Sequence, residues 1–195
     1  MKRGISADHS LSQPQIQRLL SYCQNLEEKV LVKLPLYEGL RCGEIAHLRV
    51  SWITSEGYLR IPREQPCQCV DCQRSKHKGY WQPKTKSGAR ILPIPQQLYP
   101  DLLAFLRQSP SGFNYSRVNV YHHIKAILRK AGLESAYPHS LRATCFTILA
   151  SNNMTAPALA AFAGWSNIGV AQAYINMVQA QQAAISQASQ IFGKL

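Results

Sequence analysis

Apolar residues recur at helical spacing along most of this chain, and the period changes only once, in its first third. Residues 1–13 are polar and read as a lead-in. Ser12 caps a helix with Pro14 in its first turn, expected to run to about residue 26. Residues 28–36 are apolar enough for a second, more buried helix. Gly39-Leu40-Arg41 interrupts it, and residues 43–48 restart a helical turn. Tyr58-Leu59-Arg60-Ile61, preceded by Gly57, predicts a strand. Ile91-Leu92-Pro93-Ile94-Pro95 predicts an edge strand, because proline donates nothing to a central ladder. These pieces imply a small antiparallel sheet.

The remainder is helical. Helices are expected over residues 98–106, 118–131 (closed by Gly132), 140–150, 156–162 (ending at Gly164) and 170–177, with a last, Ala- and Gln-rich helix over 180–192. No internal repeat is visible. The class is α+β, mainly α-helical.

Composition narrows the function. A chain of 195 residues with 46% hydrophobic and 16% charged residues can bury a core and is not disordered. Its 22 Lys and Arg against 10 Asp and Glu leave a formal charge of +12, which favours a polyanionic partner, nucleic acid first. No apolar run approaches the roughly 20 residues needed to span a bilayer. The first residues lack the apolar stretch of a signal peptide, so an intracellular protein without membrane attachment is expected. The six cysteines are then expected as thiols or metal ligands.

Four segments carry candidate chemistry. In Gly39-Leu40-Arg41-Cys42-Gly43-Glu44, Arg41 follows a break between helices and Glu44 can turn back toward it. A guanidinium binds phosphate oxygens as a bidentate fork and keeps its charge. In Pro138-His139-Ser140-Leu141-Arg142, a histidine and an arginine share the start of a helix, where anions are favoured. Gly164-Trp165 offers an indole donor, and Tyr174 lies about two and a half turns beyond it. Lys84-Thr85-Lys86-Ser87-Gly88-Ala89-Arg90 is a basic turn between strands.

The order Gly-Leu-Arg-x-x-Glu, Lys-Thr, His-x-Leu-Arg, Gly-Trp, Tyr resembles the catalytic domain of tyrosine recombinases, from Leu11 to about Ala180. The segments 137–144 and 162–168 are most similar to integrases of archaea and their viruses or plasmids. The resemblance implies a recombinase that cleaves and rejoins DNA at an attachment site through a 3′-phosphotyrosine, assembled as a homotetramer. Arg41 and Arg142 would clamp the scissile phosphate, and His139 and Trp165 would complete its hydrogen bonds. Tyr174 would attack phosphorus, Lys84 would protonate the leaving 5′-oxygen, and Glu44 would support the arginines. Lys86 is the second candidate for the lysine. No cofactor is implied for catalysis. Residues 14–180 would form the catalytic domain and 181–195 a tail helix exchanged between protomers. The alternatives are a DNA-binding protein of the same fold without strand transfer, and a type IB topoisomerase-like enzyme.

Residues 63–82 form a cysteine-rich insertion. Cys67-x-Cys69-x-x-Cys72 followed by His77 has the spacing to wrap a structural Zn²⁺, and a free-thiol loop or a disulfide is the alternative. Arg74, Lys76 and Lys78 on its rim, and Arg90 beyond it, are expected on DNA.

Overall fold

A computed structural model describes residues 9–193. Residues 1–8 of the expected lead-in and the last two of the expected tail lie outside the described residues. Helix α1 (Gln13–Ser21) starts where expected, the Gln15 carboxamide oxygen accepting from the Ser12 N–H at 2.8 Å. It stops earlier than expected, because Asn25 caps a new helix by accepting from the Glu28 N–H at 2.8 Å. That helix, α2 (Leu26–Tyr37), is charged in its first turn and mostly apolar from Val30 onward. Val30, Leu31, Val32, Leu34 and Leu36 are buried, which makes α2 the central rod of the larger core.

The short helix α3 (Cys42–Ile45) follows Gly39, whose φ is +58°. A Cβ there would lie 2.7 Å from the Phe146 ring, so this turn requires glycine. Strand β1 (Tyr58–Ile61) pairs antiparallel with β4 (Arg90–Pro93), Tyr58 opposite Pro93 and Ile61 opposite Arg90. The expected small sheet is therefore present, with proline on a strand that has one neighbour only. Between its strands the cysteine-rich insertion has structure of its own. Strand β2 (Gln65–Pro66) pairs with β3 (Tyr80–Trp81) around helix α4 (Val70–Arg74).

Helices α5 (Tyr99–Gln108) and α6 (Arg117–Lys130) close the larger core over α2. Helix α7 (Pro138–Ser151) starts at Pro138, two residues earlier than expected, since proline suits the first turn. It packs on α2 and also against α8 (Ala156–Ala163) and α9 (Ile168–Phe192), which enclose a second apolar cluster. The two helices expected over 170–177 and 180–192 are one continuous helix. No Gly or Pro interrupts residues 170–192, and Ala, Gln and Met favour propagation. From Gln179 to Gly193 every residue is exposed. No helix among the described residues is long and apolar enough to cross a membrane.

Candidate active site

The site forms where the α2–α3 turn, the start of α7, the α8–α9 turn and the β3–β4 connection meet. Glu44, 2% exposed, is its hub. Its carboxylate accepts from Arg41 Nη1 at 2.9 Å and from the Arg41 backbone N–H at 2.9 Å. It also accepts from Arg90 Nη1 and Nη2 at 3.1 and 3.2 Å. Burial alone would raise the Glu44 carboxyl, but Arg90, Arg142 and Arg41 outweigh it and hold it below its ordinary value.

Arg90 is thus not on the DNA-facing surface where it was expected. Its side chain is 5% exposed and donates also to the carbonyls of Phe162 (2.8 Å) and Gly88 (2.8 Å). A long basic residue next to a turn reads as a surface cation until its buried carboxylate partner is known.

Arg142, on the second turn of α7, is 2% exposed. Its Nη2 donates to the Ala163 carbonyl at 2.6 Å, and its guanidinium lies 4.6 Å from the centroid of the Phe146 ring. Its Nη1 is buried and has no hydrogen-bond partner among the described residues. Burial, followed by repulsion from Arg41, lowers the group to about 9, which leaves it cationic at neutral pH. Arg142 lines one small cavity with Arg41 and His139. Arg41 and His139 line a second, of about 540 Å³, with Lys84 and Arg117. Desolvation, then the positive charges of Arg142, Arg41 and Lys84, hold the His139 imidazole below its ordinary value, so it is neutral at pH 7.

Gly164 joins the walls. Its φ of +66° ends α8 in the left-handed region, and a Cβ there would lie 3.0 Å from Arg90 Nη1 and 3.1 Å from the Gly88 Cα. Its carbonyl accepts from Arg41 Nη2 (3.4 Å), the Thr85 hydroxyl (3.3 Å) and the Ser87 hydroxyl (3.2 Å). The basic turn is thereby fixed beside Arg41. Of its two lysines, Lys84 faces the cavity of Arg41 and His139, whereas Lys86 lines only the neighbouring basic cavity.

Trp165, next in the chain, stacks on Tyr174 with ring centroids 5.4 Å apart and 27° between planes. Both rings meet Phe146 edge-on, at 4.7 and 6.0 Å. Tyr174 is 3% exposed and lies in the α7–α8–α9 cluster, not in the wall of the Arg41 and Lys84 cavity. The structure therefore places Arg41 and His139 in the walls of two cavities, Arg142 joining them in the smaller and Lys84 in the larger, with half-buried Trp165 and buried Tyr174 packed on Phe146 beneath Arg142.

This order of residues on this helical scaffold is matched by a known family. The profile described as the phage integrase family fits residues 9–181. The chain belongs to the phage integrase family. Solved structures share the fold. The Tn1549 transposon integrase in complex with transposon right end DNA superposes with a TM-score of 0.66 at 19% identity over 91% of this chain and 66% of that one. XerA recombinase gives 0.70 at 17% identity over 95% and 65%. The catalytic domain of bacteriophage HP1 integrase gives 0.59 at 19% identity over 86% of both chains. The chain thus spans about two thirds of the first two. Comparison with curated protein sequences gives no significant match.

The structure also brings in residues that the sequence did not single out. Arg117, at the start of α6, adds a cation to the cleft. Phe146 underlies Arg142, Trp165 and Tyr174 alike. Neither has a local sequence signal, since each matters through a partner far along the chain.

The cysteine-rich insertion differs from expectation in one residue. Cys67, Cys69 and Cys72 converge, but the histidine beside them is His47, from the segment after α3. His77 instead lines the cavity of Lys76, Lys84 and Lys86. Arg74, Lys76 and Lys78 are exposed.

Proposed function

We propose that the chain is the catalytic domain of a site-specific DNA recombinase that cuts and rejoins strands through a 3′-phosphotyrosine at Tyr174. The observation that carries this reading is the unpaired, buried Nη1 of Arg142, a residue that lines a cavity with Arg41 and His139, which also line the cavity of Lys84. A buried cationic donor without a partner is costly, and a phosphodiester oxygen is the acceptor its charge and geometry suit.

Arg41 and Arg142 would hold the non-bridging oxygens, where charge grows as phosphorus becomes five-coordinate. The Tyr174 phenolic oxygen attacks phosphorus, and the bond to the 5′-oxygen breaks. His139, neutral at pH 7, takes the phenolic proton, and Lys84 gives a proton to the departing 5′-oxygen, which leaves as a hydroxyl. The phosphotyrosine keeps the energy of the broken bond, so a 5′-hydroxyl from the same or another strand can reverse the attack. Glu44 and Arg90 hold Arg41 in place without touching DNA.

Double-stranded DNA as partner is supported by the +12 charge, by the exposed Arg74, Lys76 and Lys78, and by the DNA complex of the Tn1549 integrase. Assembly as a tetramer is supported by the exposed end of α9, where Ile185, Ile191 and Phe192 are 61%, 74% and 78% exposed. Likeness to integrases of archaea, their viruses and plasmids rests on segments 137–144 and 162–168 alone. A protein handling chromosomal or element DNA acts inside the cell.

Covalent trapping tests the reading. The chain is incubated with labelled DNA from its own attachment region, nicked near candidate cleavage positions, and resolved on a denaturing gel. An adduct that disappears in Tyr174→Phe supports it. An adduct that survives moves the nucleophile elsewhere. Binding without any adduct favours a DNA-binding protein of this fold that does not transfer strands.

A further inference from the structure

Three thiols and one imidazole meet at the base of the cysteine-rich insertion. Cys67 follows β2, Cys69 precedes α4 and Cys72 lies on its first turn, while His47 comes from the chain just after α3. Their ligand atoms all lie within 4.8 Å of one another. Cys67 and Cys72 are 7% and 6% exposed.

The histidine is oriented as a ligand. Its Nδ1 is 2.7 Å from the Gly43 carbonyl. A carbonyl only accepts, so Nδ1 carries the proton and Nε2 keeps its lone pair. Nε2 faces the thiols, 3.4 Å from Cys72 Sγ and 3.6 Å from Cys69 Sγ. Tetrahedral zinc, with bonds of about 2.3 Å to sulfur and 2.0–2.1 Å to nitrogen, sets such atoms roughly 3.5 Å apart. The imidazole–carbonyl hydrogen bond is the outer contact that fixes a metal-bound histidine.

Its surroundings hold the arrangement. The His47 ring stacks on Trp81, centroids 5.1 Å apart, and Trp81 meets Trp52 at 5.3 Å. Gln65 accepts from the Trp52 indole N–H at 2.7 Å and donates to the His47 carbonyl at 2.7 Å. The Cys69 N–H points at Cys67 Sγ at 3.5 Å.

We propose that His47, Cys67, Cys69 and Cys72 bind one structural zinc ion. The donor set is soft, and four protein ligands leave no position open for substrate, so the site braces the fold. What it braces follows from its two sides. His47 belongs to the segment that carries Arg41 and Glu44. The cysteines belong to the insertion that runs through β3 to Lys84. The ion ties these two walls together.

The test is metal content, independent of any recombination assay, so its failure leaves the recombinase reading standing and the reverse. The full chain is isolated under reducing conditions without a chelating resin, and its zinc is measured by elemental analysis. One zinc per chain is expected. It should fall to background in His47→Ala and Cys72→Ser and stay at one in His77→Ala. Because those variants can misfold, the wild-type chain is also exchanged with cobalt(II), which should develop the visible bands of a tetrahedral, thiolate-bound ion. Wild-type protein that takes up neither metal overturns the proposal. So does zinc that survives His47→Ala but is lost in His77→Ala, or a disulfide among Cys67, Cys69 and Cys72 in freshly alkylated protein.

Discussion

Arg90 grips both carboxylate oxygens of Glu44, at 3.1 and 3.2 Å, from a strand 46 residues away. The pair is nearly sealed from water, with side chains 5% and 2% exposed. Removing Arg90 leaves a buried carboxylate with Arg41 as its remaining close partner. Arg90→Ala should therefore cost about 3 kcal/mol of stability, since breaking one side of a buried pair strands the other charge. Arg90→Lys should recover only part, because an ammonium cannot reproduce the fork. Urea unfolding of the three proteins checks this. An unchanged midpoint in Arg90→Ala would mean that Arg41 alone satisfies Glu44.

Arg142 is expected to act on the reaction more than on the fold. Its Nη1 donor is unpartnered until phosphate arrives. Arg142→Lys should slow cleavage of a nicked attachment site by about 10²–10³-fold, the usual cost of losing one preorganised donor. Binding of intact DNA, carried by many surface cations, should change little. Single-turnover gels and band shifts on the same variant separate the two.

Glu38 gives the fold a pH dependence in the opposite sense to most carboxylates. It is fully buried, neither oxygen has a partner among the described residues, and burial raises it to about 8 against a smaller opposing pull from Arg90. The unfolded glutamate loses its proton near 4.3. Between those values the folded state holds more protons, so stability should fall as pH rises from about 4.5 toward 8. Glu38→Gln should remove that slope. Thermal midpoints of both proteins across the window, compared by difference, measure it.

Tyr174 is covered by Trp165 and Phe146. With 3% of its surface exposed, it should resist nitration in the free chain far more than Tyr80, which is 46% exposed. Mass spectrometry of the peptides that contain Tyr174 and Tyr80 reads this directly. Equal, fast modification of both would show that the stack does not shield Tyr174.

The end of α9 stands clear of the domain from Gln179 onward. Deleting residues 183–195 should change stability by no more than about 0.5 kcal/mol, as expected of a segment whose described residues are all exposed. Synapsis of two sites should weaken far more than binding to one. Equal loss of both in native gels would argue against a role between protomers.

Much of the site could be read along the chain because the relevant signals are local. Glycine at the α2–α3 turn, proline at the start of α7 and the Gly164 stop of α8 act through φ and the missing N–H, and neighbours in sequence decide them. The same holds for Gly57 before β1 and the prolines of β4. The order Arg41, Lys84, His139, Arg142, Trp165, Tyr174 is likewise visible without coordinates.

Tertiary structure alone decided the rest. Arg90 looks like a surface cation until Glu44 is seen beside it. His77 is nearer the cysteines in sequence than His47, yet chain reversal at α3 and stacking on Trp81 bring His47 to them. The orphan donor of Arg142 and the cover over Tyr174 are contacts among α7, α8 and α9. Periodicity and turn chemistry report which backbone shape each stretch prefers. They do not report which distant side chains share a buried space, because packing and charge pairing choose those partners only when the whole chain has closed.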